Sequence, residues 1–181
     1  VQTGDLIHKN APNPAVVPYW QALHAAAEAA GCSLHLVAGN HELEIWRRLE
    51  DGEHLGLKRR EQGEVRALIR TMRLFHVDGS VLFLHGYPTA KLLRHMQAYR
   101  IGTGNDLNDY NRDCFQAALE NPKLLSKYAY PRRHFCRGCL LHDVPEPERY
   151  YRRHGLEVVA LLRALGIDLV VHGHRPERTG V

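Results

Sequence analysis

One stretch of the chain, LHLVAGNHE at residues 34–42, changes abruptly from apolar to polar side chains. Its apolar half, residues 34–38, has the length of a short buried strand. Gly39 then predicts a tight turn, because glycine adopts backbone conformations that other residues avoid. The turn would present Asn40, His41 and Glu42 together, which are an amide, an imidazole and a carboxylate. The stretch therefore predicts a strand that ends in groups able to bind a metal ion or to move a proton.

Three other apolar runs end in a similar way. Gly-Asp at residues 4–5, His-Gly at 85–86 and Gly-His at 173–174 each place an Asp or a His beside a glycine. Any one of these residues alone is more often a turn or capping residue. In open α/β sheets, however, ligands collect at the carboxyl ends of the strands. Four such strand ends together therefore predict one metal site at the edge of a sheet.

The remaining pattern predicts a mixed α/β domain. Helical spacing predicts helices at 18–30, 42–49, 61–71, 90–98, 112–119 and 155–165, and apolar runs predict strands at 1–3, 34–38, 73–77, 81–84 and 168–171. Asp78-Gly79 between two of these runs is a strong hairpin signal. Residues 89–151 are predicted to be a helical insertion between two strands. A cap over the site and a peripheral layer with no role in the site carry equal weight as interpretations of this insertion.

Length and composition are those of one globular domain that can bury a sizeable core, with 181 residues of which 44% are hydrophobic. No apolar run approaches the roughly 18 residues that a membrane-spanning helix needs, so no membrane span is expected. The net charge of +4 suits an anionic substrate; it would also suit weak nucleic-acid contact, which we do not favour. Four cysteines without another sign of secretion favour a reduced, cytoplasmic protein.

The motifs and their order resemble those of the calcineurin-like metallophosphoesterases and, within them, the phosphoprotein-phosphatase-like branch. The family pattern runs Gly-Asp-x-x-Asp-Arg-Gly, Gly-Asn-His-Glu, His-Gly-Gly and Gly-His. This chain has GDLIHKN at residues 4–10, GNHE at 39–42, HGYP at 85–88 and GHRP at 173–176. Gly-Asn-His-Glu after a strand is the specific motif of the four. The resemblance implies an α/β fold of the α+β sandwich type, in which two packed β-sheets are flanked by helices within one domain over residues 1–181.

The resemblance also implies a metal-dependent phosphoester hydrolase of the phosphatase type. Two divalent metal ions, with manganese favoured over iron and zinc, would activate a water for in-line attack on phosphorus. Asp5 would bridge the two ions, and His41, pointing away from the ligands, would protonate the leaving group. Lys9 and Asn40 would bind the phosphate of a phosphorylated small molecule, a nucleotide or a phosphoprotein. The complete set of metal ligands would be Asp5, Asn40, His85 and His174.

The chain departs from the family pattern at several positions. The Asp-x-His motif that should precede Gly4 is absent, so the domain is expected to lack its first strand–helix unit. His8 stands where the family usually has an Asp that orients the catalytic imidazole. Lys9 replaces an Arg, which exchanges a bidentate fork for a point charge. Tyr87 replaces the second Gly of His-Gly-Gly and is expected to crowd the site.

These departures keep open a second function from another class. It is a catalytically weakened metallophosphoesterase-like domain that binds a phosphorylated or nucleic-acid partner through its helical insertion. Cys136 and Cys139 lie in this insertion, close to arginines and aromatic residues. Two incidental buried thiols are favoured for this cysteine pair, ahead of a structural zinc site and a redox pair.

Overall fold

The structure of this chain is a computed structural model that describes residues 1–103, 106–120 and 147–173. Short strands alternate with helices along the described residues. In chain order these elements are β1 (Gln2–Thr3), α1 (Val16–Ala29), β2 (Leu36–Val37), α2 (Asn40–Glu50), α3 (Arg59–Thr71), β3 (Phe75–Asp78), β4 (Val81–Leu84), α4 (Ala90–Thr103), α5 (Leu107–Glu120), α6 (Pro147–Ala164) and β5 (Leu169–His172).

The strands of the described residues form two small sheets. β1 and β2 pair in parallel, whereas β3 and β4 form an antiparallel hairpin. β4 also pairs in parallel with β5, and this register places Leu84 opposite His172. An isolated bridge between Val37 and Arg73 joins β2 to the segment that precedes β3. Two sheets accompanied by helices confirm the predicted α/β class.

The hairpin between β3 and β4 is present as predicted. Asp78 pairs with Val81, so the loop itself is Gly79-Ser80, and Gly79 adopts a φ of +55°. The first strand of the hairpin begins at residue 75, two residues later than the sequence predicts. The reason is that the backbone of Arg73 turns towards β2: its N–H donates to the Leu36 carbonyl at 3.0 Å, and its carbonyl accepts from the Ala38 N–H at 2.7 Å.

Two helices are longer at their N-terminal ends than the apolar spacing predicts. α5 begins at residue 107 rather than 112, and α6 begins at residue 147 rather than 155. Proline at the first position of α6 suits a helix start, because its missing N–H would have no partner there. The early turns of α6 are held by tyrosines. The hydroxyl of Tyr150 accepts the Ala90 N–H at 3.0 Å, and that of Tyr151 donates to the Pro88 carbonyl at 2.7 Å.

The described part of the predicted insertion lies against the body of the domain. α4 packs against α6, and α5 lies beside β3. Asn111 of α5 is buried; its Oδ1 accepts the N–H groups of Leu74 and Phe75 at 2.7 and 3.0 Å. Asn108, one turn earlier, bonds both backbone groups of Val77. Residues 121–146 lie outside the described residues, so the proposed cap over the site stays a prediction.

A single apolar cluster joins the helices to the sheets. Its largest fully buried side chains include Trp46 of α2, Phe75 of β3 and Phe115 of α5. The indole N–H of Trp46 donates to the Leu119 carbonyl at 3.2 Å, which ties α2 to the end of α5. In residues 1–103, 106–120 and 147–173, no helix combines the length and the apolarity needed to cross a membrane.

Candidate metal centre

The ends of β1 and β2 approach each other closely because glycines occupy both. Gly4 has a φ of +93°, and a Cβ atom there would come within 2.9 Å of the Gly39 Cα and would overlap the ring of His85. A Cβ atom on Gly39 would lie 2.5 Å from the backbone nitrogen of Asp5. Both distances are too short for a real side chain. The glycines of the Gly-Asp and Gly-Asn-His-Glu motifs therefore make room for the packing of the site.

Asp5 sits in this gap in a left-handed conformation, with a φ of +54°. Such a conformation is uncommon for residues other than glycine, although Asp tolerates it better than most. Two contacts hold the residue. Its N–H donates to Glu42 Oε2 at 3.0 Å, and its Oδ1 accepts the His41 N–H at 3.1 Å. The carboxylate thus lies against the first turn of α2, where the helix dipole favours a negative charge.

Glu42, the last residue of the Gly-Asn-His-Glu motif, joins the two loops of the candidate centre, a role that the sequence pattern does not predict. It is fully buried and accepts three backbone N–H groups: Gly39 at 2.7 Å, Ile7 at 2.8 Å and Asp5 at 3.0 Å. Burial raises the pKa of its carboxyl, which the hydrogen bonds from Ile7 and Gly39 partly oppose. The sequence predicts a helix that begins at Glu42; because α2 in fact begins at Asn40, Glu42 is its third residue, and from there its side chain bonds back to the N-cap backbone of Gly39.

His85 lies at the end of β4 and is completely buried. Its Nδ1 is 2.8 Å from the Thr3 carbonyl, which can only accept a hydrogen bond, so Nδ1 carries a proton. In the neutral ring Nε2 then presents a lone pair. This atom lies 3.1 Å from Asn40 Oδ1 and 3.5 Å from Asp5 Oδ2. The amide oxygen of Asn40 and a carboxylate oxygen of Asp5 therefore converge on this ring nitrogen.

This convergence fits a metal ion. Lone pairs that face one another repel unless a cation lies between them, and imidazole with carboxylate and amide oxygens is a donor set for first-row divalent metals. A histidine ligand also commonly donates its other ring N–H to a backbone carbonyl, as His85 does to Thr3. Within the described ranges, no group of three or more His, Cys, Asp or Glu side chains could hold a metal ion. The candidate site therefore needs the amide oxygen of Asn40 as a further ligand.

Contrary to the prediction from the sequence, His41 does not point away from the predicted ligands. Its Nδ1 lies 3.7 Å from Asp5 Oδ2. The rings of His41 and His8 form an edge-to-face contact, with 5.2 Å between their centres. The residue occupies the first turn of α2, which begins at residue 40 rather than at the predicted 42. The backbone N–H of His41 bonds to Asp5, and this contact holds its side chain near the centre.

Lys9 lies on the loop that follows Asp5 and is half-buried. The guanidinium of Arg48 donates to its carbonyl at 3.0 Å, which anchors the loop to α2. No carboxylate in the part of the chain that the structure describes forms an ion pair with the Lys9 ammonium group.

These motifs lie within a match between the chain and the model of a protein family. The model described as calcineurin-like phosphoesterase matches residues 1–178. The chain belongs to the calcineurin-like phosphoesterase family. Family membership makes it a metal-dependent phosphoesterase in general terms, while the phosphoprotein-phosphatase-like branch remains a prediction. Comparison with curated proteins and with solved structures gives no significant match.

In this calcineurin-like phosphoesterase, β5 ends beside the same centre. The Gly173 N–H donates to the His85 carbonyl at 3.1 Å, and a Cβ atom on Gly173 would lie 2.8 Å from the Thr3 carbonyl. The structure therefore brings the ends of β1, β2, β4 and β5 together. The predicted ligand His174 follows directly but lies outside the described residues, as do Cys136 and Cys139.

Tyr87 is oriented towards the end of β5 and towards α6. Its ring centre is 4.3 Å from that of His172 and 6.1 Å from that of Tyr151. The tyrosine that replaces the second glycine of the family motif thus contributes to an aromatic wall next to His85.

Proposed function

We propose that this chain hydrolyses phosphoesters at a dinuclear metal centre. The observation that carries the proposal is the convergence of His85 Nε2, Asn40 Oδ1 and Asp5 Oδ2, with His85 Nε2 3.1 Å from the amide oxygen and 3.5 Å from the carboxylate. Asp5 would bridge the two ions, and His174 would complete the second metal's ligands. When bound, the metal pair, for which we favour manganese over iron or zinc, supplies an activated water and neutralises charge on the phosphoryl group.

The protein's own groups fix this arrangement before a substrate arrives. The Thr3 carbonyl favours the tautomer of His85 in which Nδ1 carries the proton and the lone pair is on Nε2. Glu42 holds the backbone of Asp5 and of Gly39 at once, so the two loops cannot move independently. Preorganisation of this kind is what lets ligands act without reorganising during the reaction.

His41 is proposed as the acid that protonates the leaving oxygen. Its ring lies at the rim of the centre, with Nδ1 3.7 Å from Oδ2 of Asp5. His8 contacts the ring from the other side and occupies the place of the family's orienting Asp. We therefore expect His41 to be held by packing and by Asp5 rather than by a second carboxylate.

Lys9 and Asn40 are proposed to bind the phosphate of the substrate. Lys9 offers an ammonium group on the loop after Asp5, and this group would act as a point charge rather than as a bidentate fork. The substrate is proposed to be a phosphorylated small molecule, a nucleotide or a phosphoprotein. A cytoplasmic setting is also proposed, because the thiol of Cys32 is free and exposed, which suits a reducing compartment.

The assignment is tested by the metal content of the purified protein after incubation with manganese and removal of excess metal. His85→Ala should lose metal from the second site, because it removes one ligand of the convergent set. His54→Ala is the matched control, since His54 is an exposed histidine outside the centre. Unchanged metal content in His85→Ala would overturn the assignment. Retained metal without any phosphoester hydrolysis in the unmodified protein would instead favour the catalytically weakened binding domain.

A further inference from the structure

A cleft lies at the opposite end of β2 from the metal centre. It consists of two adjoining cavities of about 380 Å³ and about 230 Å³ between α1, α3 and β2. The two cavities share five lining residues, which are His24, Glu28, Leu34, Leu36 and Thr71. Leu36 precedes Asn40 by four residues, which in an extended strand corresponds to about 13 Å. The cleft is therefore separate from the candidate metal centre.

The larger cavity is mainly apolar. Besides the shared leucines it is lined by Trp20 and Ala25 of α1 and by Ala67 and Leu68 of α3. α1 packs on the domain over only part of its surface, since Val17 is the one residue of this helix that is buried. Small alanine side chains on both helices leave the space beneath Trp20 unfilled. A cavity of this size and lining is typical of sites for small apolar groups.

The smaller cavity is polar and contains Arg73 among its lining residues. The guanidinium of Arg73 donates to His76 Nδ1 at 3.1 Å. Throughout residues 1–103, 106–120 and 147–173, no carboxylate forms an ion pair with it. Partial burial lowers the pKa of Arg73, which means that the charged guanidinium would gain from a counter-anion. Most of its five N–H donors remain available for such an anion.

The surroundings of Arg73 select for a single negative charge. Burial lowers the pKa of His35, and it lowers that of His76 to about 4, so both rings are uncharged at neutral pH. Glu28 lines the same cavity, and its Oε2 lies 3.5 Å from Nδ1 of His24 in an exposed contact that is an ion pair only when His24 is protonated. The lining thus offers the guanidinium of Arg73 as a cation and Glu28 as an anion, so a ligand with one negative charge fits it better than a dianion such as a phosphate monoester. The planar guanidinium fork also matches the two oxygens of a carboxylate.

We propose that this cleft binds a small monoanionic carboxylate with an apolar tail, such as a medium-chain fatty acid. The carboxylate binds Arg73, and the tail lies in the apolar cavity against Trp20. This activity is independent of phosphoester hydrolysis. Arg73 is nevertheless joined by backbone hydrogen bonds to Leu36 and Ala38, in the segment that leads from β2 to Asn40.

Octanoate is a suitable probe, and the fluorescence of Trp20 can report its binding. Of its two tryptophans, Trp20 lines the cleft whereas Trp46 is buried in the core. Titration with octanoate should give a saturable change in tryptophan fluorescence, which Trp20→Phe removes while calorimetry still detects binding. A fluorescence change that persists in Trp20→Phe, or the absence of saturable binding by calorimetry, would overturn the proposal.

Variants test the two halves of the cleft separately. Arg73→Gln should weaken octanoate binding about tenfold or more, as expected for lost hydrogen bonds between charged groups, whereas Arg60→Gln, at an exposed position, should not. Ala67→Phe should block the apolar cavity, with Ala22→Phe on the exposed surface of α1 as the matched control. Ala67→Phe tests the proposal independently, even if Arg73→Gln does not fold.

Two related ligands test the chemistry of the head group. Octanol lacks the charge and should bind at least about tenfold more weakly than octanoate, because it forms no ion pair with Arg73. Octyl phosphate should also bind more weakly, because Glu28 opposes its second charge. If octanol binds as tightly as octanoate, Arg73 does not bind the head group and the proposal is overturned. If octyl phosphate binds more tightly than octanoate, the choice of a carboxylate is contradicted.

Discussion

Glu42 is the side chain on which the geometry of the candidate metal centre depends. Its carboxylate accepts N–H groups from the loop after β1 and from the turn after β2, and it is shielded completely from solvent. Asp5 and Asn40 lie on these two loops. A residue that touches no proposed substrate therefore sets the distance between two proposed ligands.

Glu42→Gln should destabilise the protein and weaken metal binding together. The amide replaces one acceptor oxygen by an N–H₂ group, so at least one buried backbone N–H loses its partner, at a cost of about 1–3 kcal/mol. Urea unfolding and manganese titration measure the two effects. Glu64→Gln is the control, because Glu64 forms an exposed pair with Arg60 whose loss should cost no more than about 1 kcal/mol. Equal losses in the two variants would contradict the role given to Glu42.

His76 should make the stability of the protein depend on pH. Its pKa is lowered from 6.5 to about 4, mainly by burial, so the folded protein binds fewer protons than the unfolded chain between these values. Its stabilising contribution is therefore present above pH 6.5 and is lost as the pH falls towards 4, by about 2 kcal/mol. The ring of His35, whose centre lies 3.9 Å from that of His76 at a tilt of 36°, has a pKa that is also lowered.

Urea unfolding at pH 7.5 and at pH 4.5 measures this dependence. His76→Phe keeps the stacked ring but removes the titrating group, so it should lose less stability on acidification than the unmodified protein. His54→Phe, at an exposed position, should leave the pH dependence as it was. An unchanged dependence in His76→Phe would show that other groups cause it.

At the scale of elements, α5 completes the sheet by covering the free edge of β3. Its asparagines bond the backbone of Leu74, Phe75 and Val77, as a neighbouring strand would. An uncovered edge offers unpaired N–H and C=O groups to other chains. The helix therefore protects the hairpin as well as packing against it.

Asn111→Ala should destabilise the fold by about 2–3 kcal/mol, because it leaves buried N–H groups of β3 without an acceptor. Thermal unfolding and light scattering measure the loss of stability and any association through the exposed edge. Gln116→Ala on the same helix is the control. Its side chain donates to the Arg70 carbonyl at an exposed position, so its loss should have little effect. A variant as stable as the control would contradict the account of this edge.

At the scale of the whole molecule, the sequence predicts what depends on local signals. Apolar runs that stop at glycine predict the strand ends, and Asp78-Gly79 predicts the hairpin, because both depend on neighbouring residues alone. The early starts of α5 and α6 were missed, since they depend on contacts made across the chain by Asn108 and Tyr150. The role of Glu42 was missed for the same reason: its partners lie on a loop 35 and 37 residues away.

We propose that metal ions held at the strand ends hydrolyse phosphoesters. The most direct test is the hydrolysis of p-nitrophenyl phosphate with added manganese, compared with a chelated sample and with His85→Ala in manganese. We expect hydrolysis in the first sample and its loss in the other two, because both remove the metal from Asp5, Asn40 and His85. Hydrolysis that survives chelation, or that persists in His85→Ala, would contradict the proposed centre.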